Sequence, residues 1–171
     1  MIRFRFRFPK SQIVPWANGY DIDSDALLEN GIGPAVKQQG FLTRDQFLEL
    51  TRWKTSRSKS RCRRNDDDFI KEATRAALTS DNERFKIEAL RLLDGVEWPT
   101  ASVILHFCDR GKYPILDVRA LWSLGIDTPP PYEFNFWKDY VMFLRRVSDE
   151  SRLPMRVLDR ALWQFSKMNQ K

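Results

Sequence analysis

The sequence predicts a single, mostly α-helical domain with a short N-terminal strand. From Thr43 almost to the end of the chain, apolar residues recur at spacings of three and four, which is the period of an amphipathic helix. The opening residues instead alternate between apolar and basic side chains, which is the period of a strand. With 171 residues, of which 42% are hydrophobic and 30% charged, the chain has the size and composition of one globular domain.

The strand prediction rests on the first eight residues. Apolar and basic side chains alternate there in the order Ile2, Arg3, Phe4, Arg5, Phe6, Arg7 and Phe8. Pro9 ends the pattern because it has no backbone N–H to pair. A lone strand leaves backbone groups unpaired, so we expect this segment to pair with another strand or to lie across the domain. Residues 11–40 are rich in Gly, Asp and Asn, which predicts a loop with one or two helical turns.

Seven helices are predicted after this loop. Thr43 is placed to cap the first of them. The apolar faces of the first three contain Phe47, Leu48, Leu50 and Trp53, then Phe69, Ile70, Ala73, Ala76 and Ala77, then Phe85, Ala89, Leu92 and Leu93. The fourth, over residues 100–108, is apolar almost all round, so we expect it to be the central buried helix. The last three begin at Asp117, after the prolines at 129–131 and near Met155.

Composition argues against several classes of protein. No apolar run approaches the ~20 residues that span a bilayer, so we do not expect a membrane protein. The opening segment lacks the continuous apolar stretch of a secretory signal. Two cysteines, Cys62 and Cys108, are too few for a disulfide framework or a four-thiolate metal site. These features predict a cytoplasmic protein without a metal site.

Positive charge is concentrated in one segment. Lys and Arg number 29 against 23 Asp and Glu, and seven of the basic residues fall within residues 52–64. They are Arg52, Lys54, Arg57, Lys59, Arg61, Arg63 and Arg64. The interleaved Ser and Thr predict a loop, and three aspartates follow it at 66–68. Either this loop grips phosphates, chiefly through Arg57, Lys59, Arg61 and Arg63, or it is a solvated connection whose aspartates cap the next helix.

The most specific pattern lies between residues 92 and 125. It reads L-L-D-G-V-E-W-P-T-A-S-V-I-L-H-F-C-D-R-G-K-Y-P-I-L-D-V-R-A-L-W-S-L-G. A helix is predicted to end at Asp94, Gly95 permits a turn, and Pro99 suits the first turn of the next helix. The free N–H groups at the start of that helix would suit a phosphate. Asp117, at the start of a further helix, is either an N-cap or an acid/base group.

This order resembles the helix-hairpin-helix DNA glycosylase superfamily, whose pattern is roughly L-P-G-V-G-x-K-T-A, an apolar helix, then P-V-D and a further helix. Residues 93–101 match the hairpin, and residues 114–117 match the aspartate segment. Residues 158–163 are similar to the terminal helix of some members. The resemblance puts the helix-hairpin-helix motif at about residues 82–108 and the aspartate helix from 117, within one domain over residues 1–171.

The resemblance implies a helical domain that binds duplex DNA and extrudes one altered nucleotide. Asp117 would be the catalytic carboxylate, which stabilises an oxocarbenium-like sugar and positions water as the base leaves. Gly95, Val96 and Glu97 would supply backbone amides to a phosphate, with Thr100 close by. The implied function is that of a DNA N-glycosylase, a hydrolase of base excision repair.

Departures from the family pattern refine this expectation. Pro99 stands where bifunctional members carry a lysine, so no amine can form a Schiff base there and a monofunctional enzyme without lyase activity is expected. Glu97 stands at the second hairpin glycine, where a phosphate would approach. The four cysteines of the iron–sulfur members are absent, so we expect no cluster, while the resemblance allows a monovalent cation at the hairpin.

Glu97 and Pro99 keep a second class of function open. On this alternative the chain is a non-catalytic DNA-binding or protein-interaction module on the same scaffold. Asp117 and the basic loop favour the glycosylase, whereas a carboxylate in the hairpin favours the module.

The remaining residue types that could carry chemistry have structural interpretations. The only histidine, His106, lies on the apolar fourth helix and is expected in the core, as is the thiol of Cys108. Three tryptophans at helical spacing are also expected in the core, and these are Trp122, Trp137 and Trp163. Trp16 and Trp53 lie near loops and are the candidates for a base pocket.

Overall fold

The chain is mostly α-helical in its computed structural model, which describes residues 3–109 and 111–170. The α-helices found there are α1 (Ile13–Asn18), α2 (Gly33–Gln39), α3 (Arg44–Lys54), α4 (Lys59–Cys62), α5 (Asp67–Thr79), α6 (Glu83–Leu90), α7 (Trp98–Cys108), α8 (Val118–Ser123), α9 (Phe134–Ser151) and α10 (Met155–Asn169). The mostly helical class predicted from the sequence is confirmed.

The helices form two compact units. The middle unit is Ile22–Gly111, and the terminal unit combines Met1–Asp21 with Lys112–Lys171. The middle unit therefore contains α2–α7, and the terminal unit contains α1 and α8–α10. The organisation of residues 1–171 as one domain stays a prediction.

Helix α7 is the buried helix of the middle unit, as the sequence predicted. Every residue from Trp98 to Cys108 is buried except Pro99 and His106, which are half-buried. The helix packs against α2, α3 and α6, so apolar side chains are needed on all of its faces. It begins two residues before the predicted start at Thr100, with Pro99 in its first turn.

Shortening Ile104 should test the central position of α7. Ile104 is fully buried, so we expect Ile104→Ala to lower the free energy of unfolding by roughly 2–5 kcal/mol through lost burial and a residual cavity. Urea denaturation would measure the change, with Val118→Ala as a control because Val118 is 60% exposed. A loss below ~1 kcal/mol for Ile104→Ala would contradict a central α7.

Helix α6 ends earlier than predicted. It stops at Leu90 rather than at Asp94, because residues 91–93 form tight turns in which each backbone N–H donates to the carbonyl three residues before it. The early end leaves Leu92 66% exposed, although the sequence pattern put it in the core. Phe85 and Phe69, at 50% and 41%, are also more exposed than predicted.

Residues 11–40 are more helical than the predicted loop. They contain α1, α2, a π-helix over Leu28–Ile32 and short 3-10 turns. Tertiary packing explains the difference, because α1 lies against α10 and α2 lies against α7. Short helices of this length gain most of their stability from such burial and little from propensity.

The N-terminal segment forms no strand among the described residues, and Ile2 lies outside them. The backbone N–H groups of Arg5 and Arg7 donate to the carbonyls of Leu124 and Ser123, at 2.9 Å each. These acceptors belong to the C-terminal end of α8, which has no extended backbone to continue a ladder. The predicted strand is therefore replaced by an irregular segment that is hydrogen-bonded to the end of α8, and its Phe4 and Phe8 side chains are buried.

None of the helices in the described part of the chain is long and apolar enough to cross a membrane.

Candidate functional site

The hairpin turn packs directly on the basic segment in the middle unit. Gly95 has φ +83°, a left-handed conformation that favours glycine. A Cβ atom added there would lie 2.7 Å from Cys62 Sγ and 3.1 Å from Arg61 Cβ. Only the missing side chain of Gly95 allows this approach, so α4 and the hairpin form one surface.

Asn65 joins the two parts of this surface. Its Oδ1 accepts the backbone N–H of Asp94 at 2.8 Å, and its Nδ2 donates to the carbonyl of Asp94 at 3.0 Å. The same Nδ2 donates to the carbonyl of Cys62 at 2.9 Å. Asn65 is buried, so these bonds form away from competing water. Sequence reasoning missed this role, because it depends on a partner 29 residues away.

Arg44 holds the end of the basic segment from the side of α3. Its guanidinium donates to the carbonyl of Arg63 at 2.7 Å and to the carbonyl of Asn65, and it lies 3.4 Å from Asp67 Oδ1. Asp66 caps α5 by accepting the N–H of Phe69 at 2.8 Å. The prediction that the aspartate run caps the next helix is confirmed for Asp66.

The sequence predicted a single loop for the basic segment, but the structure shows that it is not one loop. Arg52 and Lys54 belong to α3, and Lys59–Cys62 forms the short α4. Arg52 pairs with Glu49 at 2.6 Å. Five further cations are exposed, and no carboxylate in residues 3–109 or 111–170 forms an ion pair with them. They are Arg57, Lys59, Arg61, Arg63 and Arg64, and we call them the basic cluster.

Breaking the Asn65 contacts should loosen the hairpin from α4. We expect Asn65→Ala to lower the free energy of unfolding by roughly 1–3 kcal/mol, because it leaves the backbone N–H and carbonyl of Asp94 without their side-chain partners. Hydrogen exchange should accelerate at the amide of Asp94. Asn65→Asp keeps the Oδ1 acceptor for that amide and should retain more of its protection. Equal protection of the Asp94 amide in the wild type and in Asn65→Ala would show that the Asn65 contacts do not hold the hairpin against α4.

One of the three hairpin amides predicted to face a phosphate has a partner within the protein. The N–H of Val96 donates to the carbonyl of Leu93 at 3.0 Å, so it is already used inside the turn. Thr100 is buried in the first turn of α7, where its side chain lies inside the unit rather than on the surface. Glu97 is exposed and is the N-cap residue of α7, without a side-chain capping bond.

The carboxylate of Glu97 faces an arginine. Glu97 Oε2 lies 4.0 Å from Arg91 Nη2, and Arg91 also donates to Glu88 at 2.6 Å. The guanidinium of Arg91 sits over the Trp98 ring, 4.4 Å from its centroid. This cation offsets part of the negative charge that Glu97 brings to the hairpin, although an exposed pair at this distance contributes little to stability.

Asp117 caps α8 in the terminal unit. Its Oδ1 accepts the N–H of Arg119 at 2.8 Å, and its side chain is half-buried. The N-cap role, one of the two predicted for Asp117, is confirmed. A carboxylate held at this place carries a fixed negative charge, which is also what stabilisation of a cationic sugar requires.

The backbone before Asp117 is held from two sides. The N–H of Ile115 donates to Asp159 Oδ1 at 3.1 Å, and the hydroxyl of Tyr140 donates to the carbonyl of Ile115 at 2.8 Å. Asp159 and Tyr140 are both buried, on α10 and α9. Sequence reasoning did not single out either residue as part of a site. The available signal was Asp159 itself, an acidic residue beside Leu158 on the apolar face of α10.

Two phenols near Asp117 remain protonated over the ordinary pH range. Burial, and then the charge of Asp117, raise the pKa of Tyr132. Burial, followed by the charges of Asp159 and Asp117, raises the pKa of Tyr140 well above its usual value. The surroundings of Asp117 therefore contain neutral phenolic hydroxyl groups and no phenolate from these two residues.

The two candidate pocket tryptophans pack inside their own units. In the middle unit, Trp53 Nε1 donates to the carbonyl of Ser24 at 3.0 Å, and its ring meets Phe107 edge-on at 5.6 Å. In the terminal unit, Trp16 meets Phe165 edge-on at 5.2 Å. Both rings are half-buried, and their role in a base pocket stays a prediction.

The residues expected in the core divide into two groups. Trp137 is fully buried, and burial raises the pKa of the Cys108 thiol to about 12, as expected for a packed cysteine. Trp122, Trp163 and His106 are only half-buried, so their predicted core positions are wrong. Arg7 lies 4.5 Å from the Trp122 ring centroid, and Arg119 lies 5.6 Å from that of Trp163. Each of these two indole rings therefore packs against the guanidinium group of an arginine.

The residues that the structure describes contain no group of three or more His, Cys, Asp or Glu side chains placed to hold a metal ion. No family model, curated protein or solved structure matches the chain.

Proposed function

We propose that the protein is a monofunctional DNA N-glycosylase, which binds duplex DNA, flips out an altered base and hydrolyses its N-glycosidic bond with Asp117. The observation that carries the proposal is the packing of the Gly95 turn against α4, since it joins the hairpin and the basic cluster in one surface. The resemblance of residues 93–101 and 114–117 to the glycosylase pattern supplies the reaction type.

The basic cluster supports the DNA-binding part of the proposal. Its five cations are exposed and lack carboxylate partners among the described residues, so they keep their capacity to neutralise phosphates. Asn65 and Arg44 hold their backbone in place, which reduces the entropy lost when DNA binds. Binding of this kind releases counterions and weakens steeply as salt concentration rises.

The position of Asp117 supports the catalytic part. In the proposed mechanism DNA binding is followed by extrusion of the nucleotide, and the carboxylate of Asp117 faces the sugar as positive charge develops on it. The contacts of Ile115 with Asp159 and Tyr140 keep this carboxylate in place before the reaction, which is the preorganisation that electrostatic stabilisation needs. Pro99 supplies no amine, so a Schiff base and strand cleavage are not part of the proposal.

A screen for base release tests the proposal. Duplexes with alkylated, deaminated or oxidised bases are incubated with the full chain, and the free base is measured by chromatography. Release of one class of base without strand cleavage is the expected result. Release accompanied by cleavage that borohydride traps as a covalent adduct would contradict the monofunctional mechanism.

A non-catalytic DNA-binding or protein-interaction module is the second candidate. Two observations favour it, because Asp117 Oδ1 is used to cap α8 and Glu97 exposes a carboxylate at the hairpin. On this candidate the wild type binds undamaged duplex without releasing any base. The same screen, read together with DNA binding, separates the two functions.

A further inference from the structure

The middle unit contains a groove between α3 and α4, which no sequence pattern indicated. Its volume is about 380 Å³. Small-molecule sites in proteins have volumes of roughly 300–1,000 Å³, so this groove lies at the lower end of their range. Leu48, a half-buried residue of α3, gives it an apolar part. The groove can therefore hold a ligand of about the size of one nucleotide.

The lining of the groove combines both signs of charge. Asp45 and Glu49 lie one turn apart on α3. Lys59 and Arg63 have the same spacing, at the first residue of α4 and at its C-cap. Glu49 pairs with Arg52 at 2.6 Å. The other three groups, Asp45, Lys59 and Arg63, are exposed and form no ion pair or side-chain hydrogen bond in residues 3–109 and 111–170.

The backbone that carries the two cations is held in place. The guanidinium of Arg44 donates to the carbonyl of Arg63 at 2.7 Å. The N–H of Arg63 donates in turn to the carbonyl of Lys59 at 3.2 Å. Cys62, which precedes Arg63, is fully buried and lies against Gly95. A ligand at this site has to order only the side chains of the two cations, which limits the entropic cost of binding.

The charges of the groove fit the two ends of a guanine nucleotide. A phosphate monoester carries about two negative charges near neutral pH, which suits the two cations Lys59 and Arg63. The two oxygens of Asp45 can accept the adjacent N1–H and N2 amino group of guanine. Leu48 offers apolar contact between these ends. An amino acid also has charges of both signs, but its single carboxylate charge would leave one of the two cations without a partner.

We propose that the groove between α3 and α4 binds a guanine nucleotide, with the phosphate on Lys59 and Arg63 and the base edge on Asp45. A free mononucleotide and an unpaired guanine in a DNA strand present the same groups, and the experiment distinguishes these two sources. The inference goes beyond the proposed function, because it requires neither base release nor Asp117. Lys59 and Arg63 also belong to the basic cluster, so the nucleotide and duplex DNA share these two cations.

Titration of the isotope-labelled full chain with three ligands, followed by NMR, tests the proposal. The ligands are dGMP, dIMP, which lacks only the 2-amino group, and deoxyguanosine, which lacks only the phosphate. Changes in amide chemical shift give both the dissociation constant and the place of binding. We expect dGMP to bind about 10-fold more tightly than either analogue, because each analogue loses hydrogen bonds to a charged side chain. The largest changes should fall in α3 and α4.

Two variants locate the ends of the ligand. Asp45→Asn should remove most of the preference for dGMP over dIMP, because its amide has one acceptor oxygen and no charge. Lys59→Gln should weaken dGMP about 10-fold and leave deoxyguanosine unaffected. Asp68→Asn and Lys71→Gln are the matched controls, since Asp68 lies in the first turn of α5 as Asp45 does in that of α3, and neither residue lines the groove. Both controls should bind dGMP like the wild type.

Duplexes that end in a single unpaired guanine or thymine identify the source of the nucleotide. Their affinities are measured by fluorescence anisotropy. Tighter binding of the guanine overhang, lost in Asp45→Asn, would assign the groove to an unpaired guanine within a strand. Equal binding of the two overhangs, together with selectivity for dGMP over dIMP, would assign it to the free nucleotide.

Three results would overturn the inference. They are the absence of dGMP binding, equal affinity of the wild type for dGMP and dIMP, and equal effects of Asp45→Asn and Asp68→Asn on dGMP binding. The titration requires no catalysis, so a negative screen for base release would refute the proposed function and leave the nucleotide site standing. Base release by a protein that does not bind dGMP would do the reverse.

Discussion

Replacing Arg57, Lys59, Arg61 and Arg63 together by Gln is expected to weaken duplex binding by roughly 10³-fold or more near ~0.1 M salt. Each of these cations is exposed and lacks a carboxylate partner in the described residues, so each can displace counterions from a phosphate. The slope of log K against log salt should fall by about 3 to 4, and equally for every DNA sequence. Stability should change little, because the side chains make no ion pair to lose.

A control with the same loss of charge separates phosphate contacts from long-range attraction. Four surface cations that pair with carboxylates within 4.0 Å are available for this, namely Lys10, Lys71, Arg75 and Lys112. Their replacement by Gln removes four positive charges outside the basic cluster, and exposed pairs of this kind contribute little to stability. We expect the control to retain most of the affinity. Comparable losses of DNA affinity in both variants would mean that the basic cluster contributes no more to binding than other surface cations do.

The sequence predicted those features that depend on local chemistry. Thr43 and Asp66 each cap a helix through a side chain that accepts an N–H from the first turn, a pattern visible within a few residues. The apolar pattern on all sides of α7 correctly predicted that this helix is buried. Asp117 at a helix start followed from the same local rules.

Features that depend on distant partners were missed. Asn65 holds the hairpin by hydrogen bonds to the backbone of Asp94. The backbone N–H of Ile115 is held by Asp159, which is 44 residues away in the chain. The N-terminal alternation separated an aromatic face from a basic face, but it could not show that the backbone neighbour of this segment is the end of a helix. Half-buried tryptophans were misjudged because periodicity does not distinguish a core ring from one covered by an arginine.

Asp117→Asn is expected to reduce base release by ~100-fold or more while leaving DNA binding intact. Asparagine has nearly the shape of aspartate but lacks the negative charge that offsets a cationic sugar. Its side-chain oxygen can still accept the N–H of Arg119, so the cap on α8 and the stability of the protein should be retained. Base release is measured in single turnover on the best duplex from the screen, and affinity is measured on a duplex with an abasic-site analogue.

Asp66→Asn is the matched control for this substitution. Asp66 is also an aspartate N-cap, with its oxygen on the N–H of Phe69 at 2.8 Å, so the chemical change and the retained cap are the same. We expect Asp66→Asn to release base at a rate within a few-fold of the wild type. A catalytic role for Asp117 requires that only its own substitution stops release while both variants bind the abasic duplex. Undiminished base release by Asp117→Asn would remove this carboxylate from the mechanism, because the variant differs from the wild type only in this side chain.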